Sequence, residues 1–315
     1  MKFDIVSIGE PMYEFSALPG RAREYLQGFG GDTMNCAVAA ARQGAKVAYV
    51  TRLGDDEFGR QFLDLWRGEG IDTSGVAVDA AAPTAVYFIS HGPSGHVFSY
   101  RREGSAASRM TPAGLPRELI GSTKFLHSSG ITQAISAGAC DTVFAAVELA
   151  RAAGARFVYD ANLRPKLWPL PRARAIVAAT LRSCDLFLLS MEDAEALCGL
   201  AAAPAILDWC LQAGAANVVL KLGAAGALAH HDGERRSIPG FAVKAVDATG
   251  AGDCFAGALM ARLAAGDGFW AALRYANAAA ALTCTGYGAV GPLPRPAAVN
   301  ELLSRGAAPG AAAGD

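Results

Sequence analysis

A chain of 315 residues, 52% apolar and 18% charged, carries enough hydrophobic side chain for a large core, which excludes the disordered class. Its formal charge of −1 and pI near 6.5 give no basic field, so nucleic acid and anionic membrane surfaces are not expected as partners. The opening Met1-Lys-Phe-Asp-Ile-Val-Ser-Ile-Gly-Glu10 places charges among a few apolar residues. It reads as a buried strand, not a secretory segment, and the expected location is the cytoplasm. Seven cysteines with no Cys-x-x-Cys pair read as reduced thiols packed as small apolar groups. The uncharged stretch 275–294 is broken by Gly-Tyr-Gly and Gly-Pro, so it reads as a buried helix and loop, not a membrane span.

In chain order, apolar runs at 4–9, 46–53, 124–129, 157–160, 185–190 and 217–222 predict strands, and patterns at 56–67, 137–153, 172–182 and 205–213 predict helices. Such alternation implies βαβ units and a mostly parallel sheet, with ligands expected beyond the strand carboxyl ends, where Asp32, Asp160, Lys221 and Asp247 gather. Residues 84–90 and 96–101 break the pattern. They flank His91-Gly-Pro-Ser-Gly95 and read as a β-hairpin with no crossover helix. With residues 12–28 they predict a small sheet projecting as a lid, whose exposed apolar face suits a homodimer. The expected organisation is one domain over 1–303, a lid from about 12–28 and 84–108, and a disordered tail at 304–315.

Two glycine-rich turns carry the chemistry. In Gly28-Phe-Gly-Gly-Asp-Thr-Met-Asn35 the glycines let a ligand lie against backbone, Asp32 accepts from hydroxyls and Asn35 both donates and accepts. Asp32 and Thr33 are equally good helix N-caps, and the pattern alone does not separate the two roles. In Val246-Asp-Ala-Thr-Gly-Ala-Gly-Asp253, Gly250 and Gly252 open an apolar helix whose first N–H groups lack partners, a site suited to phosphate. The helix field is expected to keep Asp253 ionised, ready to take a proton from a hydroxyl. No Walker A pattern occurs.

The second string resembles the C-terminal signature of the ribokinase-like sugar kinases. The first resembles their N-terminal signature in its 2-keto-3-deoxygluconate kinase version. The resemblance extends over nearly all of residues 1–303 and implies a ribokinase-like three-layer α/β fold with a β-sheet lid, ATP and Mg²⁺ as cofactors, and a sugar acid as partner. It implies Asp253 as base, with Gly250, Ala251 and Gly252 as an anion hole. For the sugar it implies Gly31, Asp32 and Asn35. From Tyr100-Arg-Arg-Glu-Gly-Ser-Ala-Ala107 it implies Arg102 on a carboxylate, with Tyr87 and Tyr100 on hydroxyls. Arg101 stands where the pattern has a second Tyr. Asp160-Ala-Asn-Leu-Arg164 matches the family's D-x-N-x-R segment and implies a substrate or phosphate role for Arg164. Val218-Val-Leu-Lys-Leu-Gly-Ala-Ala-Gly226 resembles the nucleotide shelf, with Lys221 near phosphate and Gly223 and Gly226 beside ribose and base; Asn277 stands where adenine is often met. Asp247 and Thr249, with carbonyls of residues 285–288, match a monovalent-cation site of some relatives. Two departures stand out. Ser190-Met-Glu-Asp193 replaces the usual Asn-x-x-Glu near magnesium waters, leaving Asp193 and Glu192 as the metal-side acids, and Gly288-Ala-Val-Gly291 lacks the acid common in keto-deoxygluconate kinases. A neutral sugar such as fructose, or a nucleoside, is the alternative acceptor. A non-catalytic sugar sensor is disfavoured because Asp253 is present, and a nicotinamide dehydrogenase because the first strand leads to Gly9-Glu10-Pro11.

Overall fold

Apolar runs bounded by Gly, Pro and Asp form the strands, and longer Ala- and Leu-rich stretches form the helices. The computed structural model describes residues 1–18, 21–92 and 95–306. Its strands are β1 (Phe3–Ile8), β2 (Met12–Leu18), β3 (Arg21–Gly30), β4 (Val47–Gly54), β5 (Asp72–Asp79), β6 (Ala85–Gly92), β7 (Gly95–Arg101), β8 (Thr123–Ser129), β9 (Arg156–Asp160), β10 (Leu186–Ser190), β11 (Val218–Lys221), β12 (Gly226–His231) and β13 (Glu234–Pro239). Its helices are α1 (Asp32–Arg42), α2 (Glu57–Gly68), α3 (Arg117–Ile120), α4 (Gly130–Ala134), α5 (Ala137–Ala152), α6 (Leu170–Leu181), α7 (Met191–Cys198), α8 (Ala203–Gln212), α9 (Ala251–Ala264), α10 (Phe269–Thr283) and α11 (Pro296–Ser304).

A nine-stranded sheet runs β13-β12-β11-β10-β9-β8-β1-β4-β5, and from β11 to β5 every pairing is parallel. Successive strand residues serve two cores, as alternation requires when both faces are covered. Ile5, Phe125, Val158, Leu188 and Val219 pack with α1, α9 and α10 on one face. Val6, Leu126, Phe157, Leu189 and Leu220 pack with α5, α6 and α8 on the other. The result is three layers, as expected from the βαβ alternation. Among the described residues, no single helix is long and apolar enough to cross a membrane.

The antiparallel edge was not expected. β12 and β13 form a hairpin around Asp232 and Gly233, both at positive φ (47° and 80°), as in a two-residue turn that matches sheet twist. The Asp-Gly signal is present, but β12 opens on glycine and ends in two histidines, and β13 is polar and largely exposed. β5 carries no strong strand signal either, because Asp72–Asp79 lies on the other edge with only Asp79 buried.

The second sheet, β3-β2-β6-β7, is the expected lid. β2 pairs β6 in parallel, and the β6–β7 hairpin is in register from Val86↔Arg101 outward. The chain enters it from the carboxyl end of β1, and later from beyond that of β5, so the sheet rises on the side where ligands of a parallel sheet bind. Residues 102–108 follow β7 without belonging to the sheet. α11 includes Ser304, so the helix runs one residue beyond the expected domain end; residues 307–315 of the expected tail, and Pro93 and Ser94 of the hairpin turn, lie outside the described residues.

Candidate active site

Small residues bring the two glycine-rich motifs together. A Cβ on Gly257 of α9 would lie 2.4 Å from the Cys36 carbonyl oxygen and 2.9 Å from Ala39 Cβ, so α9 crosses α1 at a distance only glycine permits. The crossing sets the first turns of the two helices side by side. Asn35 Nδ2 then donates to Asp253 Oδ2 at 2.8 Å, across 218 residues of chain.

Asp32 is not an N-cap. Gly31 takes that position at φ 110°, with no side-chain cap, and a Cβ there would meet the Glu10 carbonyl at 2.4 Å. The Asp32 carboxylate is thereby left for the cleft, where Asn162 Nδ2 donates to its Oδ2 at 2.8 Å. Asn162 follows β9 at φ 33°. The cleft is lined by Asp32, His127, Asp160, Asn162 and Asp253, gathered from the carboxyl ends of β8 and β9 and the amino ends of α1 and α9. Its chemistry is one-sided. Asp32 Oδ1, Asn35 Oδ1, Asp160 Oδ1 and His127 Nε2 are buried with no hydrogen-bond partner among the described residues. All three oxygens are acceptors, and leaving a buried acceptor unmet costs ~1–3 kcal/mol. A ligand rich in hydroxyl donors answers that deficit.

Burial is the largest influence on Asp253. Together with the charges of Asp32 and Asp160 it outweighs the Asn35 hydrogen bond and Lys221, and raises the carboxyl to about 7. The expectation that the helix field keeps it well ionised is therefore corrected. Burial also pushes Asp160 up, against Lys221, whose Nζ lies 2.6 Å from Asp160 Oδ2. Burial opposes the Lys221 charge, but Asp160 and Asp193 outweigh it and raise its pKa.

Lys221 lies over the first turn of α9: a Cβ on Gly252 would meet only its Nζ, at 3.4 Å. Gly250 is the helix N-cap at φ 76°. Ala251 N–H donates to the Ala248 carbonyl at 3.2 Å, which withdraws one expected member of the anion hole and leaves Gly252 deeper in the turn. An ammonium beside a helix N-terminus is an arrangement that suits an anion.

The lid strands place the expected sugar contacts unevenly. Tyr87 and Tyr100 are cross-strand partners with rings stacked at 5.9 Å, and the Tyr87 hydroxyl donates to the buried Glu14. Arg102 is largely buried and ion-paired with the wholly buried Glu10, which also accepts from Ser105. Arg101 alternates to the other side, is exposed, and donates to the Tyr100 carbonyl at 3.0 Å. Arg164 is exposed and rests on the Leu163 carbonyl at 2.9 Å, so of the D-x-N-x-R segment it is Asp160 and Asn162 that enter the cleft.

Other expected contacts have structural partners. Both Asp193 oxygens accept backbone amides, from Leu163 and Ser190, completing a capping box on α7; a metal role is not what holds it. Asp247 accepts from Thr249 and from the Gly288 amide at 2.9 Å, pinning the loop after α10 beside the α9 turn. Asn277 donates to the Ile238 and Pro239 carbonyls at 3.2 and 3.4 Å, tying α10 to β13. Gly226, at φ 99°, has no room for a Cβ, which would lie 2.1 Å from the Ile238 carbonyl, whereas Gly223, at φ 58°, faces open space. No group of three or more His, Cys, Asp or Glu suited to a metal occurs among the described residues. A divalent ion here would therefore depend on phosphate oxygens for much of its shell, as Mg²⁺ commonly does.

His127, Asn162, Glu10 and Glu14 were not singled out from the sequence. Only the Asn of the D-x-N-x-R segment carried a signal.

The family described as pfkB family carbohydrate kinase matches residues 2–296. A 2-dehydro-3-deoxygluconokinase of Thermoproteus tenax is 35% identical over 308 residues, covering 95% of this chain and 94% of the relative. Fructokinase-1 of Oryza sativa subsp. japonica is 33% identical over 315 residues, covering 95% and 97%. The crystal structure of a fructokinase from Xylella fastidiosa with bound ATP superposes with a TM-score of 0.86 at 27% identity, covering 97% of this chain and 99% of that one.

Proposed function

This chain belongs to the pfkB family of carbohydrate kinases and has the ribokinase-like fold, and we propose that it transfers the γ-phosphoryl of ATP to a hydroxyl of a sugar acid, 2-keto-3-deoxygluconate first, with Asp253 as base. The observation that carries the reading is the set of buried, unmet acceptors around Asp253, which calls for a polyhydroxylated ligand. A single ligand hydroxyl then lies beside a carboxyl whose pKa, about 7, suits proton acceptance near neutrality. ATP would enter from the β11 side, its phosphates between Lys221 and the first turn of α9. Mg²⁺, when bound with the nucleotide, offsets phosphate charge. Asp32 and Asn35 orient the hydroxyl, Asp253 takes its proton, and the Gly252 amide and Lys221 stabilise charge on the moving phosphoryl. The lid excludes water and so limits hydrolysis.

Arg102 supports an acid sugar. Of the adjacent Arg101 and Arg102 it is the one turned inward, and a carboxylate meeting its guanidinium would gain ~1.5–3 kcal/mol. Arg102→Ala is expected to lower kcat/KM for 2-keto-3-deoxygluconate roughly 10- to 150-fold while sparing fructose, and Arg101→Ala to change neither. A second reading, a fructokinase, is favoured by the Glu10 contact, which already neutralises Arg102. Coupled ADP detection over both sugars and both variants separates them: an equal loss on fructose, or fructose as the better wild-type substrate, would reassign the enzyme to neutral sugars. Glu10→Gln belongs in the same panel, since freeing Arg102 from its internal partner should favour the acid and leave fructose behind.

The pH dependence follows from Asp253. Only its ionised form accepts a proton, so kcat/KM is expected to fall about tenfold per unit as pH drops below about 7. An acid limb near pH 4 instead would mean that the base is an unperturbed carboxylate.

A further inference from the structure

His127 stands at the carboxyl end of β8, 2% exposed, and the mechanism above does not use it. Its Nδ1 lies 2.9 Å from Ser7 Oγ, and Ser7 Oγ donates to the Thr33 carbonyl at 3.0 Å. A hydroxyl has one hydrogen. With that hydrogen on Thr33, Ser7 meets His127 only by accepting, so the imidazole proton sits on Nδ1. The opposite tautomer would forfeit one of the two bonds in a buried site. Nε2 is then a bare lone pair, with no partner among the described residues, on a ring that lines the cleft with Asp32, Asn162 and Asp253.

We propose that His127 is a specificity-determining residue for the acceptor: held as the Nδ1–H tautomer by Ser7, it takes a hydrogen bond at Nε2 from a sugar hydroxyl other than the one phosphorylated. The proposal rests on the sugar-kinase function above. Burial, opposed by Asp32 and aided by Lys221, holds the ring's pKa down at about 4, so it stays neutral and accepting at working pH. Asp253 and Asp32 bear negative charge when ionised and accept from any donor in reach. A neutral imidazole adds an acceptor without adding a further negative charge beside an incoming phosphoryl. That would let the site count hydroxyls with little electrostatic cost. The ring's rigid seat against Ser7 and β8 fixes the direction from which a hydroxyl is read.

The test uses the whole protein labelled with ¹⁵N, with the His127 resonances identified by their loss in His127→Gln. The expected spectrum at pH 7 has Nδ1 protonated and Nε2 bare, with Nε2 shifting when the phosphorylated sugar is added. Kinetically, His127→Leu should lower kcat/KM for the sugar about 5- to 150-fold with the KM for ATP unchanged. His127→Gln, whose Oε1 is also an acceptor, should recover part of the loss. If the leucine variant does not fold, Ser7→Ala serves instead: it keeps the ring but releases the tautomer, and should raise the sugar KM while sparing that of ATP. An Nε2–H tautomer, an imidazolium at pH 7, or equal losses toward sugar and ATP would overturn the assignment. Where the wild type phosphorylates the sugar and Nε2 does not respond, the His127 assignment alone fails. Where the wild type phosphorylates no sugar, the kinase reading fails and this one with it.

Discussion

Asp253→Asn is expected to lower kcat about 10²–10⁴-fold while leaving ATP and sugar binding nearly intact. The amide keeps the shape of the carboxyl and an oxygen for Asn35 Nδ2, which now lies 2.8 Å from Oδ2, but it accepts no proton. Stability should move the other way. The folded-state pKa of about 7 exceeds the ordinary value near ~3.9 for an unfolded Asp. Between those values the native state keeps a proton that the unfolded chain has released, so stability falls as pH rises through that window. Asp253→Asn removes this penalty, and at pH 8 its Tm should exceed the wild type's, by roughly 1–2 °C for each kcal/mol relieved. A variant that is inactive and less stable at pH 8 would indicate damage to the fold, and one turning over at the wild-type rate would remove Asp253 from the chemistry.

Gly252→Val should also fold and fail. A Cβ there meets nothing but the Lys221 ammonium at 3.4 Å, the far end of a flexible side chain, so the apo protein has room for it. The branched side chain would fill the gap between Lys221 and the α9 amides where the phosphates are proposed to lie. Turnover is expected to drop by about 10²–10³, the range for losing one charge-stabilising donor, with a higher KM for ATP. Sugar binding measured by calorimetry without ATP should persist. Unchanged kinetics in the folded variant would place the phosphates elsewhere.

The architecture was legible because its signals are local. Continuous apolar strands, helical periodicity and two glycine-rich turns each act within about twenty residues, and they fixed the parallel sheet, the lid and the motif at Asp253. The rest depended on what the fold brings together. Asp32 and Asn162 meet only because β9 ends beside α1, and nothing around His127 distinguishes it from a core histidine until Ser7 and Thr33 fall into place. The alternation continued one residue past β7 separates Arg101 from Arg102, yet the Glu10 partner of Arg102 comes from the turn after β1.

The protonation of Asp253 departs from what its helix position suggests for a reason of magnitude. A helix N-terminus favours a carboxylate by ~0.3–1 kcal/mol at an exposed site. Burial can shift a carboxyl by up to ~3–5 pKa units, each ~1.4 kcal/mol, and here two acids lie nearby. Desolvation therefore wins, and it is invisible until the cleft is closed. Asp193 shows the converse. Beside Glu192 and in place of the family's Glu it resembles a metal-side residue, but a capping Ser three residues earlier turns it into half of a capping box.

Phosphoryl transfer itself is tested most directly by incubating the wild type and Asp253→Asn with γ-¹⁸O-labelled ATP and 2-keto-3-deoxygluconate or fructose, then weighing the products by mass spectrometry. A sugar monophosphate carrying the label, formed one for one with ADP by the wild type and at least a hundredfold more slowly by the variant, is the predicted result. Label appearing in inorganic phosphate at the same rate with and without sugar, or in sugar phosphate equally for both proteins, would contradict a sugar kinase whose base is Asp253.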